Sequence, residues 1–286
     1  MSTSGASSTT LAISIGLAHW NPHWQCFVSH PSCAAAAKTA LTEMLTARTP
    51  LDFFNVVELE DAHYGLTLPP GWASIAPERD CGHPDPDWDT LFYRSDRWAL
   101  KESSHGCLVP NRSYAAGTFQ SKANPAMIVA VLGAHFPQTL DASTHAYEDA
   151  TKSANAVLGR LWNNVPNKSA QLLFLRTVFL GDTNTEGPKA AAAKLSHHGV
   201  NKTNGQLMAD MGLWAHADPR GEPPGAPLFR GCCFNDNFSW EGDRIIANFG
   251  KAVASTVLFD PAPAWAEFDG SEFHKGVYVV LNASVP

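Results

Sequence analysis

No apolar run in this sequence reaches the roughly 18 residues that a membrane-spanning helix needs. The longest, AMIVAVLGAHF at 126–136, is interrupted by Gly133 and His135. Basic residues are also short: 20 Lys and Arg stand against 27 Asp and Glu, a formal net charge of −7. A protein that held nucleic acid by phosphate neutralisation alone would be basic. A polyanionic partner would therefore need positive charge from a bound cation. The six cysteines (26, 33, 81, 107, 232 and 233) contain no CxxC pair and no zinc spacing. There is no GxGxxG, no P-loop and no GxSxG, so dinucleotide binding, Walker-type nucleotide binding and serine-hydrolase chemistry lack their usual signatures. No repeat of 20–50 residues marks a solenoid or propeller. The opening MSTSGASSTT lacks the basic-then-apolar order of a secretory leader. It is expected to be a flexible segment, residues 1–10, ahead of one domain over 11–286.

What is present fits a globular α/β chain: 44% hydrophobic and 16% charged residues, too apolar for a disordered protein. Runs rich in Val, Ile, Leu and Phe predict strands at 11–17, 53–59, 90–94, 126–135, 172–181, 243–249, 253–259 and 275–281, most of them buried on both faces. Helices are expected at 33–48, at 141–162 with Asp141 as N-cap, and at 187–196 with Pro188 in the first turn. The expected architecture is one α/β domain with two mostly antiparallel sheets and helices outside them. An even cysteine count and five N-x-S/T triplets, at Asn111, Asn167, Asn201, Asn237 and Asn282, favour an extracellular over a cytoplasmic location. The cysteine pairing stays open, except that the adjacent Cys232 and Cys233 are poor partners for each other.

The chemistry collects where the apolar runs stop. IGLAHWN ends at Asn21, FFNVVE at Glu58, VLGAH at His135 and VFLGDTN at Asp182 and Asn184; DRII starts at Asp243, and KGVYVVL is preceded by His274. Acids, amides and imidazoles at several strand ends suggest a site on one rim of a sheet core. Glu58 is the hardest to read as incidental, because an ionised carboxylate in a buried strand costs several kcal/mol unless paired or metal-bound. His19 and His23 are four apart, but Pro22 between them makes a helical zinc pair a poor reading.

Taken in order, these elements resemble the endonuclease/exonuclease/phosphatase superfamily, the deoxyribonuclease-I-like fold. The matching pieces are AHWN, DFFNVVE, LFYRSDRW, GAHFP, GDTN, GDRI and SEFHKGV, and the resemblance as a whole covers residues 11 to 282. No one of them is specific; their order is the signal. The resemblance implies a four-layer α/β sandwich and metal-dependent hydrolysis of phosphate esters. Mg²⁺ is the expected cofactor, with Mn²⁺ or Ca²⁺ possible. Glu58 and Asn21 would hold the cation. Asp182 would align water and Asn184 a phosphate oxygen or that water. His274, oriented by Asp243, would face the phosphate, and His135 would assist the leaving oxygen.

Asp87, in preference to Asp89, would support His135. Arg94 and Arg244 are expected near the substrate phosphate, with Arg97, Lys101 and Lys275 as further flanking cations. A phosphodiester substrate, nucleic acid first, is the expected partner. The alternatives are a lipid or inositol phosphate, since SWEGDRI is similar to the motif of inositol polyphosphate 5-phosphatases, or an impaired relative that only binds.

The last motif departs from the family. An acid usually precedes the His directly; here Phe273 stands there and Glu272 lies one residue earlier. A one-residue bulge would let Glu272 and His274 share a face while Phe273 turns away. Glu272 is therefore the expected substitute carboxylate near the cation.

Overall fold

In a computed structural model of the chain, residues 11–47, 50–59, 66–75, 81, 88–137, 145–165, 176–185, 204–211, 242–266 and 273–285 are described. The elements in chain order are β1 (Leu11–Trp20), α1 (Trp24–Val28), α2 (Pro31–Ala47), β2 (Phe53–Val56), β3 (Trp72–Ile75), β4 (Thr90–Arg94), β5 (Trp98–Val109), β6 (Arg112–Ser121), β7 (Ile128–His135), α3 (Ala146–Asn163), β8 (Arg176–Asp182), α4 (Asn204–Asp210), β9 (Asp243–Ala247), β10 (Lys251–Val257) and β11 (Val277–Val285). They form a six-stranded sheet, β10-β11-β1-β2-β4-β3, and a five-stranded sheet, β5-β6-β7-β8-β9. Among the described residues, β1–β2 and β7–β8 pair in parallel and the other neighbours are antiparallel. No helix among the described residues is long and apolar enough to cross a membrane.

Alternation along the strands builds the layers. Ile15, Leu17 and Phe53 of one sheet meet Val129, Val131, Leu180 and Ile245 of the other, forming the central core. The opposite face of the five-stranded sheet packs Leu132, Phe179 and Ile246 under α3. The outer face of the six-stranded sheet packs Ala18, Phe54 and Val280 under α2. The result is a sandwich of helix, sheet, sheet and helix layers. Strands buried on both faces are what the continuous apolar runs implied. A disulfide joins Cys26 of α1 to Cys33 of α2, and a second joins Cys81 to Cys107; Cys232 and Cys233 lie outside the described residues.

Three strands carry no apolar run and escaped the sequence reading: β3, β5 and β6. In β5, WALKESSHGCLV, exposed and half-exposed residues alternate because the strand lies at a sheet edge. The local cue was Pro110-Asn111, with Asn111 at φ 66°, a tight turn between β5 and β6. The third helix starts at Ala146 after His145, not at an Asp141 cap; the first turn carries Glu148 and Asp149, which suit the helix dipole. Asp141 and the helix expected at 187–196 lie outside the described residues.

The crossing from β1 to β2 is tied by Asp52. Its buried carboxylate accepts the Gly16 N–H at 2.9 Å and the Trp98 indole N–H at 2.8 Å, and pairs with Arg97 at 2.8 Å. Burial raises its pKa above the usual carboxylate value, against the lowering pull of Arg97 and these donors. Gly16 is the point of closest approach: a Cβ there would sit 2.0 Å from the Pro50 carbonyl oxygen, a backbone atom. Gly16→Ala should therefore lower the unfolding free energy by about 1–3 kcal/mol. An unchanged urea midpoint would refute that close contact.

Candidate active site

Three adjacent strands of the five-stranded sheet end in one row. His135 of β7 is in register with Asp182 of β8, and Asp182 with Asp243 of β9. Each lies an even number of positions from a central-core residue of its own strand (His135 from Val131, Asp182 from Leu180, Asp243 from Ile245), so their side chains face the other sheet. That sheet supplies His19 from β1 and, just beyond the strand ends, Asn21, His23, Glu58 and His274. Each of these residues is at least nine-tenths buried.

The contacts are mutual. The Asn21 Nδ2 group donates to Glu58 Oε1 at 3.1 Å and to Asp182 Oδ2 at 3.3 Å. Its Oδ1 accepts the His23 N–H at 2.8 Å. Glu58 Oε2 accepts the Trp24 N–H at 2.7 Å and lies 3.0 Å from His23 Nδ1. Asp182 Oδ1 accepts the Asn184 N–H at 2.8 Å. Asn184 Nδ2 donates to the Phe136 carbonyl at 2.7 Å and to His135 Nε2 at 2.8 Å. That contact makes His135 Nε2 an acceptor and places the ring proton on Nδ1, which faces Glu58 Oε1 at 3.7 Å. His274 Nδ1 lies 2.8 Å from Asp243 Oδ2 and 3.7 Å from Asp182 Oδ2. The His274 backbone is held on both sides, N–H to the Asn21 carbonyl and C=O to the Trp20 indole.

Backbone strain concentrates here. Of five described non-glycine residues with positive φ, three are His23 (68°), Glu58 (54°) and Asn184 (47°). Such conformations cost about 1–3 kcal/mol each and persist where the surroundings impose them. At each of the three, a side-chain hydrogen bond of the cluster does so.

Electrostatics follow from burial and pairing. Desolvation opposes the charged form of every group. At Glu58 the imidazoles of His23, His135 and His274 outweigh it and hold the carboxyl well below its usual range. At Asp243 the pull of His274 and His19 does the same. Burial also works against a charged His274, but Asp243, with Asp182 and Glu58 behind it, pushes its pKa up to about 9. The site thus presents a cationic imidazole among anionic carboxylates at neutral pH. Asp182, Asp243 and His274 also bring ligand atoms within 4.8 Å of one another, a group that could hold a metal ion.

The structure brings Asn21, Glu58, His135, Asp182, Asn184, Asp243 and His274 into this one cluster. Asn21 turns its amide nitrogen, not its oxygen, toward the carboxylates. Phe273 faces away, stacked edge-on against Trp20, Phe259 and Trp265. Glu272 and Asp87 lie outside the described residues; Asp89 is buried at the mouth of β4, its N–H on Ser113 Oγ.

The two arginines expected at the phosphate are elsewhere. Arg94 sits at the other end of β4, its N–H on the Asp52 carbonyl and its guanidinium on Asp96. That is level with Gly16, five residues or roughly 17 Å of strand from Asn21. Arg97 sits at the same end, on Asp52 and Ser14. Arg244 shares the outer face of β9 with Ile246, because alternation turns it away from Asp243; it is buried and reaches the Thr185 carbonyl. Lys275 pairs with Asp260.

His19 and His23 belong to the cluster and were not assigned to it from the sequence. Two-residue periodicity from His19 to Asn21 was the available cue for the first. A positive-φ turn placed the second.

No family model matches this sequence, and no curated protein matches it. Solved structures do match. An endonuclease/exonuclease/phosphatase family protein from Bacteroides thetaiotaomicron superposes with a TM-score of 0.57 at 15% identity, over 96% of this chain and 97% of that one. A mannosyl-6-phosphatase from the same organism gives 0.57 at 17% identity, over 93% and 98%. The human Nocturnin catalytic domain, with a bound sulfate anion, gives 0.54 at 18% identity, over 96% and 97%. The chain has the endonuclease/exonuclease/phosphatase fold. Coverage near completeness on both sides means that the ordered motifs trace one fold from β1 to β11.

In this fold the pairing of His274 with Asp243 should show in pH-dependent stability. A histidine whose folded pKa is raised to about 9 adds stability that is fully present below its unfolded value of 6.5 and is lost as pH climbs through 9. The stability difference between the wild type and His274→Gln, from urea unfolding, should be level at pH 5–6.5 and shrink toward pH 9.5. A difference that grows with pH would contradict the ion pair.

Proposed function

We propose that this chain is a divalent-cation-dependent phosphoester hydrolase whose substrate is a phosphodiester, nucleic acid being the class. The observation that carries this reading is the convergence of Glu58 Oε1 and Asp182 Oδ2 on one donor, Asn21 Nδ2, beside the cationic His274. Two carboxylate oxygens directed at one point suit a hard cation such as Mg²⁺, which takes few protein oxygens and keeps several waters. Glu58 would hold it, with Asn21 alongside once its amide oxygen turns inward. When bound, the cation would offset charge on the scissile phosphate and leaving oxygen, which lets a protein of net charge −7 accept a polyanion.

The chain's own residues do the rest. Asp182 is anchored through Oδ1 by the Asn184 N–H, so its Oδ2 faces the cluster and can take a proton from the attacking water. His274, held by Asp243, stabilises charge on the phosphate oxygens. His135, whose ring Asn184 orients, would give its Nδ1 proton to the departing ester oxygen. Trp24 is half-buried beside His23 and offers a ring for stacking on a base, while the arginines lie away from the rim. That combination favours a small footprint on the nucleic acid. Two disulfides and five glycosylation triplets support an extracellular or other oxidising location.

Plasmid DNA, RNA, sphingomyelin and a phosphoinositide, each with Mg²⁺ and with EDTA, form the deciding panel. Cleavage of nucleic acid only with Mg²⁺ is expected. Glu58→Gln should lower it about 10–100-fold and raise the Mg²⁺ needed for half-maximal rate, and Asp182→Asn about 10²–10⁴-fold. Hydrolysis of the lipid or inositol substrates alone would replace the nuclease reading. Inert behaviour on all four would leave a binding relative.

A further inference from the structure

Asp243 is held from two sides. Its Oδ2 meets His274 Nδ1 at 2.8 Å, and its Oδ1 meets His19 Nε2 at 3.0 Å. His19 and Asp243 are both fully buried, and they come from different sheets, β1 and β9. The other ring nitrogen of His19, Nδ1, is buried with no hydrogen-bond partner. One nitrogen beside a carboxylate and one without a partner fix the tautomer: the proton is on Nε2 and is donated to Asp243. A buried nitrogen without a hydrogen-bond partner keeps its desolvation cost uncompensated. An aliphatic side chain would avoid that cost among the neighbouring core residues Leu17 and Val277. What the imidazole supplies in exchange is the bond to Oδ1.

We infer that His19 is a positioning residue for turnover: by donating Nε2–H to Asp243 Oδ1 across the two sheets, it locks the carboxylate rotamer that presents Oδ2 to His274. A carboxylate held by one donor alone can rotate about its Cβ–Cγ bond. With both oxygens engaged, rotation would break two buried bonds. The His274 backbone is held by Asn21 and Trp20, and its ring Nδ1 meets Asp243 Oδ2 at 2.8 Å, so the direction of the ring is coupled to the Asp243 carboxylate. His19 touches neither water nor phosphate in this scheme. It acts through Asp243, and its loss should appear in kcat with KM nearly unchanged.

His19 matters to turnover only if the site hydrolyses phosphoesters as proposed above, whereas its bond to Asp243 exists whatever the reaction. Two readouts separate these. In kinetics on whichever substrate the panel yields, H19L should lose about 10–100-fold in kcat. H19Q, whose amide can reach Oδ1, should recover most of that loss. In an Asp243→Asn background, H19L should cause no further loss.

In proton NMR, the far-downfield Nδ1–H resonance of His274, identified by its absence in His274→Gln, should persist in H19Q and shift or broaden in H19L. Wild-type kcat and an unmoved resonance in H19L would overturn the inference. So would an equal kcat loss with and without Asp243, which is the mark of a merely structural role. If circular dichroism shows H19L unfolded, H19Q against H19N gives the same comparison, since asparagine is too short to reach Oδ1. If the wild type cleaves nothing, the hydrolase reading falls and the NMR pair alone decides for or against His19.

Discussion

Three carboxylates, Glu58, Asp182 and Asp243, are buried together at the junction of two sheets, and the arrangement around them answers to that concentration of negative charge. Left alone, each would be protonated or exposed. Four imidazoles and one amide prevent it. His23 and His135 face Glu58, His19 and His274 flank Asp243, and Asn21 spans Glu58 and Asp182. Donors and carboxylates are thus interleaved, and Asp182, Asp243 and His274 bring ligand atoms close enough together to hold a metal ion.

Such interleaving demands register. Side chains alternate along a strand, so a slip of one residue in β7, β8 or β9 would carry His135, Asp182 or Asp243 to the helix-covered face. Register is secured just behind the site. Asn55 of β2 crosses between the sheets and donates to the Leu180 carbonyl of β8 at 3.1 Å. It fits because residue 133 is glycine: a Cβ there would lie 1.9 Å from Asn55 Oδ1. The glycine that interrupts the longest apolar run therefore admits the tie that aligns the two sheets. At the far end, Asp52 binds Gly16 of β1, Arg97, and Trp98 of β5, and so ties the two sheets there as well. The motif that runs from Asp52 to Glu58 thus has a structural end and a chemical end.

Much of this was legible in the chain. Strands buried on both faces read as continuous apolar runs, so β1, β4, β7 and β8 stood out. The polar residue closing each run marked the rim. What stayed hidden has definite causes. The β5–β6 hairpin is polar because β5 lies at an edge, and its alternation is masked by Ser, Gly and Lys. Arg94 and Arg244 read as phosphate ligands by adjacency in sequence to site motifs. One is turned away by strand direction and the other by strand alternation. His19 and His23 looked like a helical pair spoiled by Pro22, when the relevant period was that of a strand end.

The sequence by itself determined the layers, the order of strand-end motifs and the residue types available for chemistry, because hydrophobic periodicity and motif order are local and read directly. Only the tertiary structure decided which of those residues share a cluster and how each is paired. His135, Asp182 and Asp243 become neighbours through inter-strand register, and His19 meets Asp243 only because two sheets stack. Those contacts join residues as far as 224 positions apart. At that separation, packing and charge compensation decide the partner, and no local pattern encodes it.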